Sequence, residues 1–387
     1  MQPHDSDEKK IKILYVTSYS GLYGANKSML GMISVLKEKY NILPYVLVNG
    51  EGELTKELRK KGIGYIVANY YICMIDLGAN WVGFRRWRKR VVRLLSYGNI
   101  IRKIKKMKID IIHSNSSVID IGYFASRRLK CPHIWHIREY GKEDYNLVQI
   151  DDENKIRRRY LNSNKVIAIS ESIGDMLRKI DKGININVIY NGIKIPDRYN
   201  KEFCENKVHF CIIGIISKNK NQIEAVMAAH YLIKNGCRNF CLHIVGDDLK
   251  EEGTIIRKYV EDYKLSDYVE INGYKNDIDS YLKKMDVGIV TSCKEAFGRV
   301  TIEYMSNYMP VIGTNMGGTK ELIRNGYNGF LYELGSVESL AEKMKELIND
   351  LGLLKKLGME ARNFSEGFTI EKNACQVNKV YREIENG

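Results

Sequence analysis

Short apolar runs alternate with amphipathic stretches along nearly the whole chain, and this alternation limits the fold more than any other feature. A run such as IKILYVT at 11–17 is β-branched and apolar on both faces. That suits strands of a parallel sheet covered on both sides. The pattern predicts strands at 11–17, 43–48, 65–68, 109–113, 133–137, 166–169 and 187–189. Helices are expected at 26–39, 119–129, 153–161 and 172–179. The stretch 190–207 is polar, carries Gly192 and Pro196, and reads as an interdomain linker. Strands are then expected at 208–213, 240–245, 269–272, 287–290 and 311–313. The accompanying helices fall at 221–234, 254–263, 278–284, 300–307, 337–349, 353–364 and 371–385. Alternating strand and helix means α/β. The 387 residues hold roughly two to three domains. Open parallel sheets bind ligands outside the carboxyl ends of their strands. Two such halves are therefore expected to face each other across a cleft that holds the site.

Composition removes other classes. Hydrophobic residues at 44% and charged residues at 28% are ordinary for a globular protein. Five prolines exclude a collagen-like or proline-rich chain. No apolar run approaches the ~18–20 residues of a membrane span. The first twelve residues, MQPHDSDEKKIK, resemble neither a signal nor a transit peptide, so a cytoplasmic location is expected. The eight cysteines are scattered, and Cys211 and Cys241 sit in apolar runs. They read as reduced, buried small hydrophobes. A zinc site built on Cys237, Cys241 and His243 lacks a clear fourth ligand.

The net charge of +14 is uneven. Residues 1–195 carry 35 Lys/Arg and 19 Asp/Glu, whereas residues 196–387 carry 26 and 28. Residues 85–108 hold 11 basic residues and no acid. Trp81, Phe84, Arg85, Arg86, Trp87, Arg88, Lys89 and Arg90 mix cations with large apolar side chains, as an interfacial helix does. A patch docking on an anionic membrane surface gains ~1 kcal/mol per Lys/Arg. A solvated face or a groove for an acidic substrate fits the same residues. No motif supports nucleic acid as a partner.

Four segments carry chemistry. In TSCKEAFGRVTIE (291–303) a strand ends, a loop carries Glu295, and a helix starts near Gly298 and Arg299. The N–H groups of Arg299, Val300 and Thr301 would point at an anion, helped by the helix dipole. Glu303, one turn into that helix, can accept two hydrogen bonds from a sugar diol. PVIGTNMGGTKE (310–321) offers further amides at Gly317, Gly318 and Thr319. In IGIISKNKNQ (213–222), Lys220 near a helix start would neutralise a phosphate as a point charge. In SYSGLYGANK (18–27), Gly24 and Ala25 can approach a phosphate closely. This last loop fails as a dinucleotide fingerprint, because Val48-Asn49-Gly50 supplies no acidic residue. Asp277-Ile-Asp279 and Asp5-Ser-Asp7 match an Asp-x-Asp metal motif, but the first is better explained as a helix N-cap.

With GLYGANKS, DIIHSNS, WHIREYGKED, VIAISESI, NVIYNGI, GIISKNKNQ, INGYKND and NGYNGFLY in this order, the chain resembles the retaining group-1 nucleotide-sugar glycosyltransferases of two-Rossmann (GT-B) architecture. The resemblance spans about residues 11–385. It implies an acceptor-binding domain at 1–195 and a nucleotide-sugar-binding domain at 196–370. It also implies a C-terminal helix (371–387) that crosses back to the first domain. By the same resemblance, Glu303 holds the ribose hydroxyls and Glu295 contacts the donor sugar. Backbone at Phe297, Gly298, Arg299, Val300, Thr301 and at Gly24 and Ala25 brackets the diphosphate and sugar. Lys220, beside Gly214, stabilises the leaving diphosphate. Gly273, Tyr274 and Lys275 meet the base, and His136 faces the reacting sugar and acceptor. Ser170, Asn191 and Gly192 are structural turns. The family usually carries Arg after the glycine corresponding to Gly214, where this chain has Ile215; Lys218, Arg299 or Lys27 are candidate replacements. Asp248 stands where glycine is common.

The implied reaction moves a sugar from a nucleoside diphosphate sugar, UDP by family tendency, to a hydroxyl of a lipid-linked or oligosaccharide acceptor. No metal or other cofactor is expected. Bacterial surface polysaccharide synthesis at the inner face of the membrane is the expected setting. A nucleotide-sugar 2-epimerase and an inactive nucleotide-sugar-binding scaffold are the alternatives, the latter motivated by Ile215.

Overall fold

A computed structural model describes residues 10–386 apart from 79, 204–205, 249–250 and 276. Asp5 and Asp7 lie outside the described residues. The chain forms two compact units, divided after Gly192 and again after Thr369. The first takes residues up to Gly192 and those from Ile370 onward; the second is Ile193–Thr369. Ile193 goes with the second unit, because its N–H donates to the carbonyl of Phe368 (2.9 Å).

The first unit contains β1 (Ile11–Val16), β2 (Ile42–Val48), β3 (Gly64–Val67), β4 (Met74–Asp76), β5 (Ile111–Ser114), β6 (His133–Ile137), β7 (Leu147–Gln149), β8 (Lys165–Ala168) and β9 (Ile186–Val188). Seven of these form a parallel sheet in the order β3-β2-β1-β5-β6-β8-β9. In β1 the side chains from Ile13 to Val16 are fully buried on both faces, as a central parallel strand requires. Strand order reverses between β1 and β5, which sets a ligand crevice at their carboxyl ends. The helix Ile370–Glu385 buries Ala374, Val377, Val380 and Tyr381 in the same core as Met29, Met32 and Leu36 of the helix Gly24–Lys39. Tyr381 Oη donates to Tyr15 Oη (3.0 Å) and lies 2.8 Å from His113 Nδ1. The helix Ile370–Glu385 thus contributes to the first unit's core.

The second unit contains β10 (Val208–Ile213), β11 (Phe240–Val245), β12 (Val269–Asn272), β13 (Val287–Val290), β14 (Val311–Thr314) and β15 (Gly329–Tyr332). They form a parallel sheet in the order β12-β11-β10-β13-β14-β15. Its order reverses between β10 and β13, so a second crevice lies where Gly214 and Thr291 leave the sheet. Ser170 and Asp277 are N-caps: Ser170 Oγ accepts from the Ile173 N–H (3.2 Å) and Asp277 Oδ1 from the Ser280 N–H (3.1 Å).

Several elements depart from the expected pattern. β4 and β7 pair antiparallel as three-residue strands, too short to show alternation. β15 opens on Gly329, whose φ of +155° and close approach to the Val311 backbone leave no room for a Cβ. The helix Glu53–Lys60 is an addition to the expected elements, whereas the basic stretch forms the helix Val82–Lys105.

The basic helix Val82–Lys105 carries the residues of the expected membrane patch on more than one face. Phe84, Trp87, Arg88 and Leu95 share one exposed face at helical spacing. Trp81 is 82% exposed and Phe84 and Trp87 are each 60% exposed. Lys89, Arg93, Tyr97, Ile100 and Ile104 share the opposite face, which meets the core. Lys89 Nζ donates to the carbonyls of Ile72 (3.1 Å) and Met74 (2.5 Å). Arg90 Nε pairs with Asp151 (3.1 Å), and Arg93 bridges Asp120 (2.9 Å) and Asp151 (2.6 Å). Arg159 pairs with the same two carboxylates. Arg86 is half-buried. Lys89 and Arg90 therefore also hold the helix down through carbonyls and a buried carboxylate, the Arg90 side chain staying 42% exposed.

Candidate functional site

In the second unit the loops after β10 and β13 are tied together. Thr291 Oγ1 donates to the Lys220 carbonyl (2.7 Å), and the Cys293 N–H donates to the Asn219 carbonyl (2.8 Å). This places the Lys220 ammonium on the Glu295 carboxylate. Ser292 Oγ donates to the same carboxylate oxygen (2.6 Å). Two groups expected to act separately, one on phosphate and one on sugar, thus form an ion pair. It is only partly shielded, the side chains of Lys220 and Glu295 being 30% and 14% exposed. A ligand can reach it.

The helix Arg299–Ser306 begins at Gly298, whose φ of +87° is the left-handed conformation that favours glycine. No side chain caps this end. Of the three amides expected to meet an anion, that of Thr301 donates to the Gly298 carbonyl (2.9 Å), so Thr301 is withdrawn from that role. The Phe297 side chain is buried, leaving its backbone at the loop. Glu303 accepts from Arg299 Nε (2.7 Å), and both remain partly exposed. The Gly318 N–H is spent on the Glu295 carbonyl (2.7 Å), which buttresses the glutamate loop and removes that amide from the ligand set. A Cβ at Gly318 would come within 2.6 Å of the Phe297 backbone, so the two loops touch only because this residue has none. Tyr304, fully buried, accepts from the Ile213 N–H (2.6 Å) and fixes this helix against the end of β10.

Beyond β12, a Cβ at Gly273 would meet nothing within 4 Å, and Tyr274 is exposed. Lys275 Nζ stands 5.9 Å from the Tyr281 ring centre. Gly214 has φ +150°, and a Cβ there would lie 3.8 Å from Lys220 Cε. Ile215, in the place of the family arginine, is 41% exposed. Asp248 pairs with Arg257.

In the first unit the helix Gly24–Lys39 also starts without a side-chain cap, and open space surrounds the Cβ position of Gly24. Asn26 holds the preceding loop by donating to the carbonyls of Tyr19 (2.9 Å) and Gly21 (2.7 Å). Asn115 Nδ2 donates to the Ala25 carbonyl (3.4 Å).

His136, expected to face the reacting sugar and acceptor, lies inside β6. Its ring is fully buried, 3.1 Å from His113 Nε2. Burial, together with the charge of Arg138, pushes its pKa well below the usual histidine value, so it is neutral. The residue one pleat further on the same face is Arg138, at the carboxyl end of β6. Its guanidinium donates to Asn115 Oδ1 (2.7 Å) and Asn191 Oδ1 (2.6 Å) and lies 3.3 Å from His136 Nδ1. Asn191, expected to be only a turn, is thus a partner of this arginine. Glu139 follows, its carboxylate accepting from Ser116 Oγ (3.0 Å) and from the N–H and Oγ of Ser117 (2.5 Å each). Burial still raises its pKa. Burial and the charge of Glu139 push the Tyr19 hydroxyl up to about 12. Reading the sequence missed Arg138 and Glu139, although an Arg-Glu pair directly after an apolar strand was a usable signal.

Comparison with known proteins agrees with both units. The family described as glycosyl transferases group 1 matches residues 195–364, and Glycosyltransferase Family 4 matches residues 53–195. An uncharacterized glycosyltransferase of Methanocaldococcus jannaschii, MJ1178, is 32% identical over 295 residues, covering 73% of this chain and 77% of the relative. The Escherichia coli UDP-Gal:alpha-D-GlcNAc-diphosphoundecaprenol alpha-1,3-galactosyltransferase is 26% identical over 311 residues, covering 74% of this chain and 78% of the relative. Among solved structures, Anabaena Alr3699/HepE in complex with UDP and glucose superposes with a TM-score of 0.77 at 19% identity, covering 96% of this chain and 100% of that one.

Proposed function

The chain belongs to the group-1 glycosyltransferases of two-Rossmann fold, and on that premise we propose that it transfers a sugar, with retention, from a UDP-sugar to a hydroxyl of a lipid-linked glycan acceptor. The observation that carries this reading is the Lys220–Glu295 pair beside the uncapped helix at Gly298, with Glu303 one turn further on. The relatives fit it. One is named for a UDP-galactose donor and a diphosphoundecaprenol-linked acceptor, and another fold neighbour was crystallised with UDP and glucose.

In this mechanism Glu303 accepts both ribose hydroxyls. The diphosphate sits at the helix N-terminus near Gly298, where the dipole favours an anion. Its charge draws the Lys220 ammonium away from Glu295, and Glu295 turns to the sugar hydroxyls. The bond from the anomeric carbon to the phosphate oxygen breaks, and the acceptor oxygen bonds to that carbon on the same face. The acceptor proton passes to the leaving phosphate oxygen. Negative charge accumulates on the diphosphate, so a preorganised cation aimed there lowers the barrier most. Lys220 and the helix amides carry that charge, and the proposed reaction requires no metal. Arg138, held by Asn115, Asn191 and the neutral His136, serves the first unit's crevice in place of His136. The exposed Trp81, Phe84, Arg85, Trp87 and Arg88 rest on an anionic membrane surface and bring the lipid-linked acceptor within reach. No described helix is long and apolar enough to cross a membrane.

The test is UDP release from candidate UDP-sugars, with and without a polyprenyl-diphosphate-linked monosaccharide. Release that requires the acceptor, with an α-linked product by NMR, is expected. Interconversion of the UDP-sugar without acceptor would establish the 2-epimerase. Binding without turnover of any donor would establish the inactive scaffold.

A further inference from the structure

Near the amino ends of β10, β11 and β12, away from the loops just described, four metal-ligating side chains meet on one face of the second unit's sheet. His209 lies opposite Cys241, and His243 lies opposite Glu270. The period of two along β11 puts Cys241 and His243 on the same side. One ligand atom from each of His209, Cys241 and His243 falls within 4.8 Å of the others. His209 Nδ1 stands 2.9 Å from His243 Nε2. Glu270 stands 3.1 Å from His243 Nδ1 through one oxygen and 3.6 Å from Cys241 Sγ through the other. Cys241 is 2% and His243 6% exposed, whereas the Glu270 side chain is 55% exposed. The buried His243 Nδ1 makes no well-aligned hydrogen bond. The cluster therefore pairs a buried ligand set with a solvent-facing edge through which an ion can enter.

We propose that His209 Nδ1, Cys241 Sγ and His243 Nε2 bind a divalent zinc ion, with water in the fourth position and Glu270 orienting His243 through its Nδ1–H. Two imidazoles and a thiolate are the donors that a borderline-soft ion selects. A carboxylate behind a ligating histidine fixes its tautomer. Zinc distances of about 2.0–2.3 Å require ligand atoms about 3.3–3.6 Å apart in a tetrahedron. The two imidazoles therefore separate by about half an ångström as the ion replaces their hydrogen bond. His209 shifts its proton from Nδ1 to Nε2, and the Cys241 thiol proton leaves to solvent, so one proton is released per ion. The ion cross-links β10 and β11 and takes no part in sugar transfer. Reading the sequence considered Cys237 as the third ligand; the structure supplies His209 from the neighbouring strand.

The experiment uses the full chain, stripped with EDTA and titrated with Co2+ as a coloured stand-in and with Zn2+ against a chromophoric chelator. Tetrahedral cobalt bands and a thiolate charge-transfer band, saturating at one ion per chain and displaced by Zn2+, are expected. Cys241→Ser should abolish the charge-transfer band. Glu270→Gln, at an exposed position that leaves the fold intact, should weaken Zn2+ binding about 10–100-fold. The proposal is overturned if the wild type takes up no more ion than the His209→Gln/His243→Gln double variant. It is equally overturned if Glu270→Gln binds Zn2+ as tightly as wild type.

Discussion

The ammonium of Lys220 and the carboxylate of Glu295, 75 residues apart in the chain, neutralise each other across the loops that follow β10 and β13. A nucleoside diphosphate sugar offers each a better partner, phosphate for one and hydroxyl for the other. In the proposed mechanism the pair keeps both side chains positioned and screens the cation until the donor arrives.

Lys220→Ala is therefore expected to lower turnover by ~10²–10³, the scale for losing one preorganised donor to developing charge. The loss should fall on kcat more than on KM. Steady-state kinetics with saturating acceptor decides it, and an unchanged kcat removes Lys220 from the transition state.

Glu303→Ala should weaken nucleotide binding by about tenfold or more, since a hydrogen bond to a charged group contributes ~1.5–3 kcal/mol. Calorimetric titration with UDP and GDP reads this directly. If the favoured nucleotide binds the variant as tightly as wild type, the ribose contact lies elsewhere.

The two faces of the helix Val82–Lys105 should separate in experiment. Replacing Phe84 and Trp87 with Ala, and Arg85 and Arg88 with Gln, should reduce sedimentation with anionic vesicles and leave the melting temperature nearly unchanged. Asp151→Asn should do the opposite. Breaking a buried ion-pair cluster costs about 3–5 kcal/mol, whereas vesicle binding survives as long as the fold does. Equal vesicle binding by wild type and the four-residue variant would defeat the membrane assignment.

Acid should destabilise the first unit in two windows. Burial, with neighbouring positive charge for the first two, lowers the pKa of His113 and His136, and burial lowers that of His133 to about 3. The unfolded chain binds these protons first, so stability is full above the unfolded value of about 6.5 and declines as pH falls below it. The slope is about 1.4 kcal/mol per pH unit for each histidine. At Asp151 burial opposes ionisation, but hydrogen bonds from Arg93 and Arg159 outweigh it and hold the carboxyl below its usual range. That contribution is present above about pH 4 and is lost below. Urea melts between pH 7 and 5 should show the first loss, and His136→Gln should shrink it.

Strands 208–213 and 240–245 were readable to the residue because apolar residues dominate them on both faces, with a single histidine in each. β4 and β7 were not, since each exists only as the antiparallel partner of the other. The strand-end loops and helix start that carry Glu295, Gly298, Glu303 and Lys220 were legible from the glycines and charges that follow strands. Their pairings were not, because they depend on β10 lying beside β13. His136 misled for a related reason. The family resemblance implied a role for it, yet its place inside β6 buries the ring, and the strand's end belongs to Arg138.

The hydrogen bonds from Tyr381 to Tyr15 and His113 carry a consequence for biosynthesis. The helix Ile370–Glu385, which shares a core with Met29, Met32 and Leu36, is translated only after the whole second unit. At about 5–20 residues per second, the first unit waits roughly ten to thirty-five seconds for this helix. A ribosome that stalls within residues 193–369 leaves the first unit's core without Ala374, Val377, Val380 and Tyr381. Chaperones and proteases recognise an incomplete apolar core, so synthesis of residues 370–385 closes that window of exposure.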